Sequence, residues 1–205
     1  GIVIVSILTV SILLISIMRN KNMVVRISVI AMVVIVLLSM IYYLYDVIHR
    51  YRTPERIIVE QLDTHTKLGN PYVFDTISYR IEDGRYVGMY LSIDEMINAW
   101  NERSDKKINS IYDDGYGSLV RYLTSKDLRK DAEGVSQLTD DDVMNIENGI
   151  ANFNYIENPG LKTRIMKIMV AYDNYANDRD ANGSSVFQRV EYIKASLNII
   201  KENPI

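Results

Sequence analysis

Apolar residues fill the beginning of the chain almost without interruption. Residues 2–18 carry no charge, a short basic segment follows, and a second apolar run covers residues 27–45. An uncharged helix of about 17–25 residues is long enough to cross the hydrocarbon core of a bilayer. Residues 1–46 are therefore predicted to form two transmembrane helices, at about 2–18 and 24–46, joined by a tight turn.

The pattern then becomes more polar, and residues 47–205 are predicted to form an extracytoplasmic domain. Residues 47–70 have the composition of an irregular linker. Within residues 72–91, aromatic and β-branched positions flank the sequence Glu82-Asp83-Gly84. An Asp-Gly pair between two such runs is typical of a tight hairpin turn, so this segment predicts a β-hairpin.

Helical spacing of apolar residues dominates the rest of the domain, with helices predicted at about 93–103, 115–126, 140–151, 160–176 and 185–202. Ser92 and Glu95 have the spacing of a capping box, and Thr139 precedes the three aspartates 140–142. These aspartates could hold a metal ion, but capping is the commoner role at a helix N-terminus. The predicted fold class is a mainly α membrane protein, with a transmembrane helical hairpin and a mostly helical extracytoplasmic domain containing one β-hairpin.

The last two predicted helices each present one apolar face that is expected to be buried. On the first helix, this face consists of Leu161, Ile165, Ile168, Met169 and Tyr172. On the second helix, it consists of Val186, Val190, Ile193, Leu197 and Ile200.

The distribution of positive charge gives an orientation in the membrane. Arg19, Lys21 and Arg26 lie in or beside the short turn, and basic short loops stay in the cytoplasm. Residues 47–205 then lie outside it. Four cationic or titratable residues directly after the second helix argue against this orientation: His49, Arg50, Arg52 and Arg56. Either the topology is reversed, or these residues serve an anionic group at the outer interface.

Composition excludes several classes of function. Residues 47–205 contain 20 Lys and Arg against 25 Asp and Glu, an acidic balance that argues against a nucleic-acid partner. The chain has no cysteine and only two histidines, so we expect neither a disulfide framework nor a zinc site. No phosphate-binding glycine loop or nucleophile motif occurs. The sequence gives no reason to expect a metal or another cofactor.

Arginines near the membrane are the candidate chemistry that remains. Arg50 and Arg52 directly follow the second apolar run, Arg121 lies in a predicted helix, and Arg189 begins the last one. The arginine fork matches phosphate oxygens bidentately, so several arginines converging at an outer interface would suit a lipid-linked diphosphate. Alternatively, they are ordinary solvated cations whose stems cover apolar surface.

The amino-acid sequence of the C-terminal part resembles the O-antigen ligase/polymerase family. The similar segments are residues 183–185, 189–195 and 199–205, where an Arg and an aromatic residue begin a helix that ends in Asn-Pro. In the middle of the chain, the segments 69–72, 100–101, 121–131 and 140–152 resemble members with a large periplasmic loop from Bacteroidetes-type bacteria.

This resemblance implies an internal fragment of a multi-pass glycosyltransferase of the bacterial inner membrane, with residues 47–205 in the periplasm. Such enzymes transfer a glycan from undecaprenyl diphosphate to a lipid or glycan acceptor, and they are thought to work without metal. The family's diphosphate-binding arginine falls on Arg189. Its catalytic histidine lies in a stretch that would follow residue 205, so the fragment alone would be inactive. The competing hypothesis is a membrane-anchored interaction or sensor module without catalysis.

Overall fold

The computed structural model describes residues 10, 11, 15, 17, 19, 22–54, 56–58, 62–179, 181 and 184–202. Contacts divide the chain into two compact units, Gly1–Asp46 and Val47–Ile205. The predicted first transmembrane helix, at about 2–18, falls mostly outside the described residues. Gly183 and the terminal Asn-Pro of the family-like motif also fall outside them.

One long apolar helix, α1, spans Met23–Arg52. Its most apolar 18-residue window has a mean hydropathy of 2.8 and contains no buried residue. In the described part of the chain it is the one helix that is long and apolar enough to cross a membrane, by length and composition. The helix continues past the predicted end at 46 and stops at Arg52, because the following Thr53-Pro54 disfavours helical backbone. The predicted linker therefore begins about six residues too early.

The Val47–Ile205 unit is mostly helical and contains a small two-stranded sheet, as predicted. Its strands are β1 (Ile81–Glu82) and β2 (Arg85–Tyr86), and its helices are α2 (Ile93–Arg103), α3 (Asp114–Ser125), α4 (Ala132–Ser136), α5 (Asp140–Glu147), α6 (Asn154–Glu157), α7 (Leu161–Asp178) and α8 (Ser185–Glu202).

The hairpin forms at the predicted turn but is much shorter than predicted. Ile81 pairs with Tyr86 and Glu82 with Arg85, while the turn residues Asp83 and Gly84 have φ of 55° and 76°. Two positive φ values match the twist of a two-residue hairpin turn. The ladder stops because residues 75–80 fold into a turn around Asp75, whose carboxylate accepts hydrogen bonds from two backbone N–H groups.

The hydrophobic core lies where α2 packs on α4 and α3 packs on α5. Its largest fully buried side chains include Trp100, Tyr122, Leu91 and Met96. The Trp100 indole N–H donates to the Lys106 carbonyl at 2.8 Å, so the polar atom of this buried ring is satisfied.

The cap predicted at Thr139 is present and is a full capping box. Thr139 accepts from the Asp142 N–H while Asp142 accepts from the Thr139 N–H, and the helix ends at Glu147 rather than at about 151. The box at Ser92 was a wrong prediction, because Ser92 makes no side-chain cap bond. The Glu95 carboxylate instead accepts from the Thr66 hydroxyl at 2.6 Å.

The faces predicted to be buried on the last two helices are largely exposed. On α7, Thr163, Met166, Ala171 and Tyr175 are buried. Leu161, Ile168 and Tyr172 of the predicted face are each about half exposed. On α8, no residue is buried. Helical spacing identified the helices correctly and chose the wrong side of α7, because the buried side includes Thr163 and Ala171, which do not stand out in an apolar pattern.

Candidate functional site

The hairpin turn carries a fully buried carboxylate at its base. Glu82 is 1% exposed and receives two hydrogen bonds from the Arg121 guanidinium, at 2.6 and 3.0 Å. The Asn152 amide donates a third at 2.8 Å. A buried carboxylate is tolerated only with a cation and several donors around it, and this arrangement supplies both.

Arg121 is therefore committed to holding the hairpin on α3. Burial opposes its charge, but the hydrogen bonds and the negative charge of Glu82 outweigh burial and raise the pKa of the Arg121 guanidinium. The next residue, Asp83, accepts from the amides of Asn152 and Asn154, both at 3.1 Å. Burial raises the pKa of the Asp83 carboxyl. These bonds tie the turn to the start of α6.

A cavity of about 430 Å³ opens beside this turn. Four of its lining side chains are cationic: Arg56, Arg85, Arg129 and Lys130. Asp127 is the acidic residue among the described lining residues, which also include the apolar and aromatic side chains of Ile57, Leu62, Met89, Tyr86 and Tyr90. Among the described lining residues, positive charges therefore exceed negative charges by three.

Lys130 is the most unusual member of this set. It is 4% exposed, and no hydrogen bond or ion pair joins its ammonium group to another described residue. Its backbone is fixed, because its carbonyl accepts from the Ser92 N–H at 2.8 Å. Burial lowers the pKa of the Lys130 ammonium to about 8, and the nearby Arg85 acts in the same direction, against the opposing charge of Asp127. Among the residues that the structure describes, no carboxylate forms an ion pair with this buried lysine.

The arginines of the cavity are only partly neutralised. The Arg85 Nε lies 3.3 Å from the Asp127 carboxylate, which is 76% exposed. Arg129 pairs with the exposed Asp63 carboxylate. Arg56 has no ion pair with a described residue. Exposed ion pairs of this kind contribute about 0–1 kcal/mol, so both paired arginines can be recruited by a stronger anion.

Backbone strain concentrates at the same cavity. Tyr90 has φ of 53°, a left-handed conformation that costs a non-glycine residue on the order of 1–2 kcal/mol. Its carbonyl accepts from the Lys130 N–H at 3.1 Å, and its ring meets the rings of Tyr72 and Phe74 edge-on. The Arg129 guanidinium lies 4.8 Å from the Tyr90 ring centre. These contacts hold the strained residue in place at the cavity wall.

A second strained residue, Asp127, ends α3 at the rim of the cavity. Its φ is 60°, its N–H donates to the Thr124 carbonyl, and the Leu128 N–H donates to the Leu123 carbonyl. This is the Schellman arrangement, in which glycine usually occupies the left-handed position. Aspartate at this position directs a carboxylate toward Arg85.

Arg56, one of the arginines that the sequence places beside the membrane, lines this cavity, whereas none of the four arginines assigned to the diphosphate does. Arg121 is bound to Glu82, and Arg52 lies 3.3 Å from the Asp173 carboxylate. Arg50 is exposed in the last turns of α1, and Arg189 is exposed on α8. The sequence-based selection therefore found one structural arginine and three at other positions of the surface.

The cationic cavity residues missed by the sequence analysis come from two separate segments. Arg85 follows the hairpin turn, and Arg129 and Lys130 lie in the segment 121–131 that carries the family resemblance. A parallel bridge between Leu91 and Lys130 brings the segment after the hairpin turn next to the segment of Arg129 and Lys130. Local sequence patterns do not reveal such a bridge. The adjacent Arg85 and Tyr86, a cation beside an aromatic residue, are the local signal for a binding site in this segment.

Among the described residues, no group of three or more Asp, Glu, His or Cys side chains is placed to hold a metal ion. Of the acidic trio 140–142, Asp142 is occupied by the Tyr122 hydroxyl at 2.7 Å and the Lys126 ammonium at 2.6 Å. No protein-family model, curated protein or solved structure matches this chain. The geometry of the basic cavity therefore carries the functional argument.

Proposed function

We propose that the cavity lined by Arg56, Arg85, Arg129 and Lys130 binds the diphosphate of a lipid-linked glycan. In this proposal the chain is part of a multi-pass, O-antigen ligase/polymerase-like glycosyltransferase of the bacterial inner membrane, with residues 47–205 in the periplasm. The observation that carries the proposal is Lys130, a buried lysine that forms no ion pair with a described residue and lines a cavity with three arginines.

The chemistry of the lining suits a diphosphate. Guanidinium groups donate pairs of hydrogen bonds to phosphate oxygens, and an ammonium adds a compact positive charge. The volume of about 430 Å³ lies within the usual range for small-molecule sites of about 300–1,000 Å³. Tyr86 and Tyr90 offer apolar faces beside the cations, which suits the sugar ring next to the phosphates.

The position of Arg56 along the chain supports a substrate that is anchored in lipid. Arg56 follows the end of α1 at Arg52 by four residues, a span of at most about 14 Å at about 3.5 Å per residue. A carrier lipid holds its diphosphate at the bilayer surface, so a phosphate site close to the end of a membrane helix can reach it.

Such a site would act on the leaving group. When the glycosyl bond breaks, negative charge grows on the diphosphate, and cations fixed around it stabilise that charge. The acceptor hydroxyl needs a base, which the family resemblance assigns to a histidine outside this chain. The contact of Arg189 with the diphosphate also rests on the resemblance alone, since Arg189 does not line the cavity.

Binding is tested with the full chain in lipid nanodiscs, titrated calorimetrically with farnesyl diphosphate, farnesol and inorganic pyrophosphate. We expect both diphosphates to bind and farnesol to bind poorly. The double variant Arg56→Gln/Arg85→Gln should weaken diphosphate binding at least about tenfold, because each charge-assisted hydrogen bond contributes about 1.5–3 kcal/mol. Arg164→Gln, at an exposed position of α7, is the matched control and should leave the affinity unchanged. Equal affinities in both variants would exclude this cavity.

Transfer is tested in cells whose own copy of the protein carries the same double substitution or Arg189→Ala. The readout is the glycan ladder on a gel, with the membrane level of the protein as control. A lost ladder at normal protein level supports a glycosyltransferase. An intact ladder combined with lost diphosphate binding would instead favour the membrane-anchored binding or sensor module.

A further inference from the structure

Helix α8 exposes a continuous apolar stripe. Val186, Ile193, Leu197 and Ile200 are 54%, 59%, 60% and 64% exposed, and Val190 lies between them on the same side. Their spacing alternates between three and four residues, which places them along one side of the helix. An apolar face of this size on a surface helix marks an interaction site.

Contacts with α7 are made by a side of α8 other than the stripe. The Phe187 ring stacks on the Tyr175 ring at 4.9 Å, with 14° between the ring planes. The Tyr175 hydroxyl donates to the Glu191 carboxylate, and the Lys194 ammonium lies 2.9 Å from the same carboxylate. These contacts use a different side of α8 and leave the stripe exposed.

Charges are sorted around the stripe. At about 100° per residue, Arg189 and Lys201 fall on its two edges, whereas Glu191 and Glu202 fall on the far side of the helix. An apolar face with basic edges and acidic residues away from it is typical of a helix lying in the interface of an anionic bilayer. A protein partner would not require this sorting.

We propose that α8 lies along the membrane–water interface, with its apolar stripe among the upper acyl chains and Arg189 and Lys201 on headgroup phosphates. The chain carries a helix able to cross a membrane, which would keep the domain at high effective concentration beside the bilayer. This inference is independent of the diphosphate site and holds even if the cavity binds no substrate.

The chain lacks cysteine, so a single substitution introduces one specific label. The full chain with Ile193→Cys or Leu197→Cys is labelled with a nitroxide and reconstituted into vesicles of phosphatidylcholine and phosphatidylglycerol. Ala195→Cys, exposed on the opposite side of α8, is the matched control. Trp100 fluorescence verifies that each variant keeps its buried core.

We expect labels at 193 and 197 to collide readily with oxygen and at least about threefold less with an aqueous nickel chelate than the label at 195. Replacing phosphatidylglycerol by phosphatidylcholine should increase nickel access at 193, because the basic edges lose their anionic partners. Equal nickel access at 193 and 195 would overturn the proposal by placing the stripe in water. Protection of 193 from both reagents would overturn it by showing a protein, such as a second copy of the chain, on the stripe.

Discussion

Replacement of Lys130 by methionine should make the domain more stable while weakening its ability to bind anions. The folded state lowers the pKa of the Lys130 ammonium from 10.5 to about 8. At about 1.4 kcal/mol for each tenfold change in a proton equilibrium, this difference corresponds to about 3 kcal/mol of unfavourable free energy for burying the charge. Methionine has a stem of similar length without the ammonium, so Lys130→Met removes this term.

The effect has a defined dependence on pH. Below pH 8, Lys130 is protonated in the folded and the unfolded chain, and the full burial cost is present. Between about pH 8 and 10.5 the unfolded chain holds the proton while the folded chain has lost it, so the stability of the wild type rises with pH. The advantage of the methionine variant should therefore be about 3 kcal/mol at pH 7 and shrink toward zero near pH 10.5.

The single tryptophan gives a direct assay. Trp100 is 1% exposed in the core of the Val47–Ile205 unit, so its emission reports unfolding of that unit in the presence of α1. Urea unfolding of the full chain in nanodiscs, at several pH values from 6.5 to 10, gives the free energy of unfolding for the wild type and for Lys130→Met. The same samples titrated with inorganic pyrophosphate should show weaker binding to the variant.

Lys162→Met is the matched control, because Lys162 is exposed on α7 and lies outside the cavity lining. Lys162 acts on the charge of Asp83, so a small change in stability is expected, but the rise in stability between about pH 8 and 10.5 should remain as in the wild type. A Lys130→Met variant that is less stable than the wild type at pH 7, or whose stability difference is the same at every pH, would refute the conclusion that burial of the Lys130 charge destabilises the fold.

Two further substitutions test the scaffold around the cavity, with the same Trp100 assay. Arg121→Met should lower the free energy of unfolding by about 3–5 kcal/mol, because it leaves the buried Glu82 carboxylate without its arginine. Adding Glu82→Gln should recover part of this loss. An Arg121→Met variant as stable as the wild type would contradict this role. Gly84→Ala should lower the free energy of unfolding by about 1–3 kcal/mol, because φ is 76° and the new Cβ would lie 2.9 Å from the Arg50 carbonyl oxygen. Gly117→Ala, which has open space around the new Cβ, is the control and should be neutral or stabilising.

Sequence patterns predicted those elements of the fold that local chemistry determines. The long apolar run gave α1, the Asp83-Gly84 pair gave the hairpin turn, and Thr139 gave the start of α5. Each of these signals involves residues within a few positions of one another. The box predicted at Ser92 failed because the Glu95 side chain finds Thr66, a distant partner that no local pattern contains.

The candidate site could not be predicted in the same way, because it is assembled from distant segments. Arg121 was selected as a phosphate ligand on its residue type, but its partner Glu82 lies 39 positions away and occupies its guanidinium. No sequence pattern singles out Lys130, although the structure buries it. Whether an arginine or a lysine can bind a phosphate depends on whether a carboxylate already pairs with it, and that pairing depends on tertiary contacts.

The position of the strained residues argues that the cavity is a site and not a packing defect. Of the four non-glycine residues with positive φ in the described part of the chain, Tyr90 and Asp127 line the cavity, and Asp83 adjoins its lining residue Gly84. A buried ammonium lies in the same lining. Each of these features lowers stability, and natural sequences accept such departures mainly where function requires them. Their concentration around one basic cavity is expected for a site that binds an anion. An anion bound there would relieve the largest of these costs by neutralising Lys130.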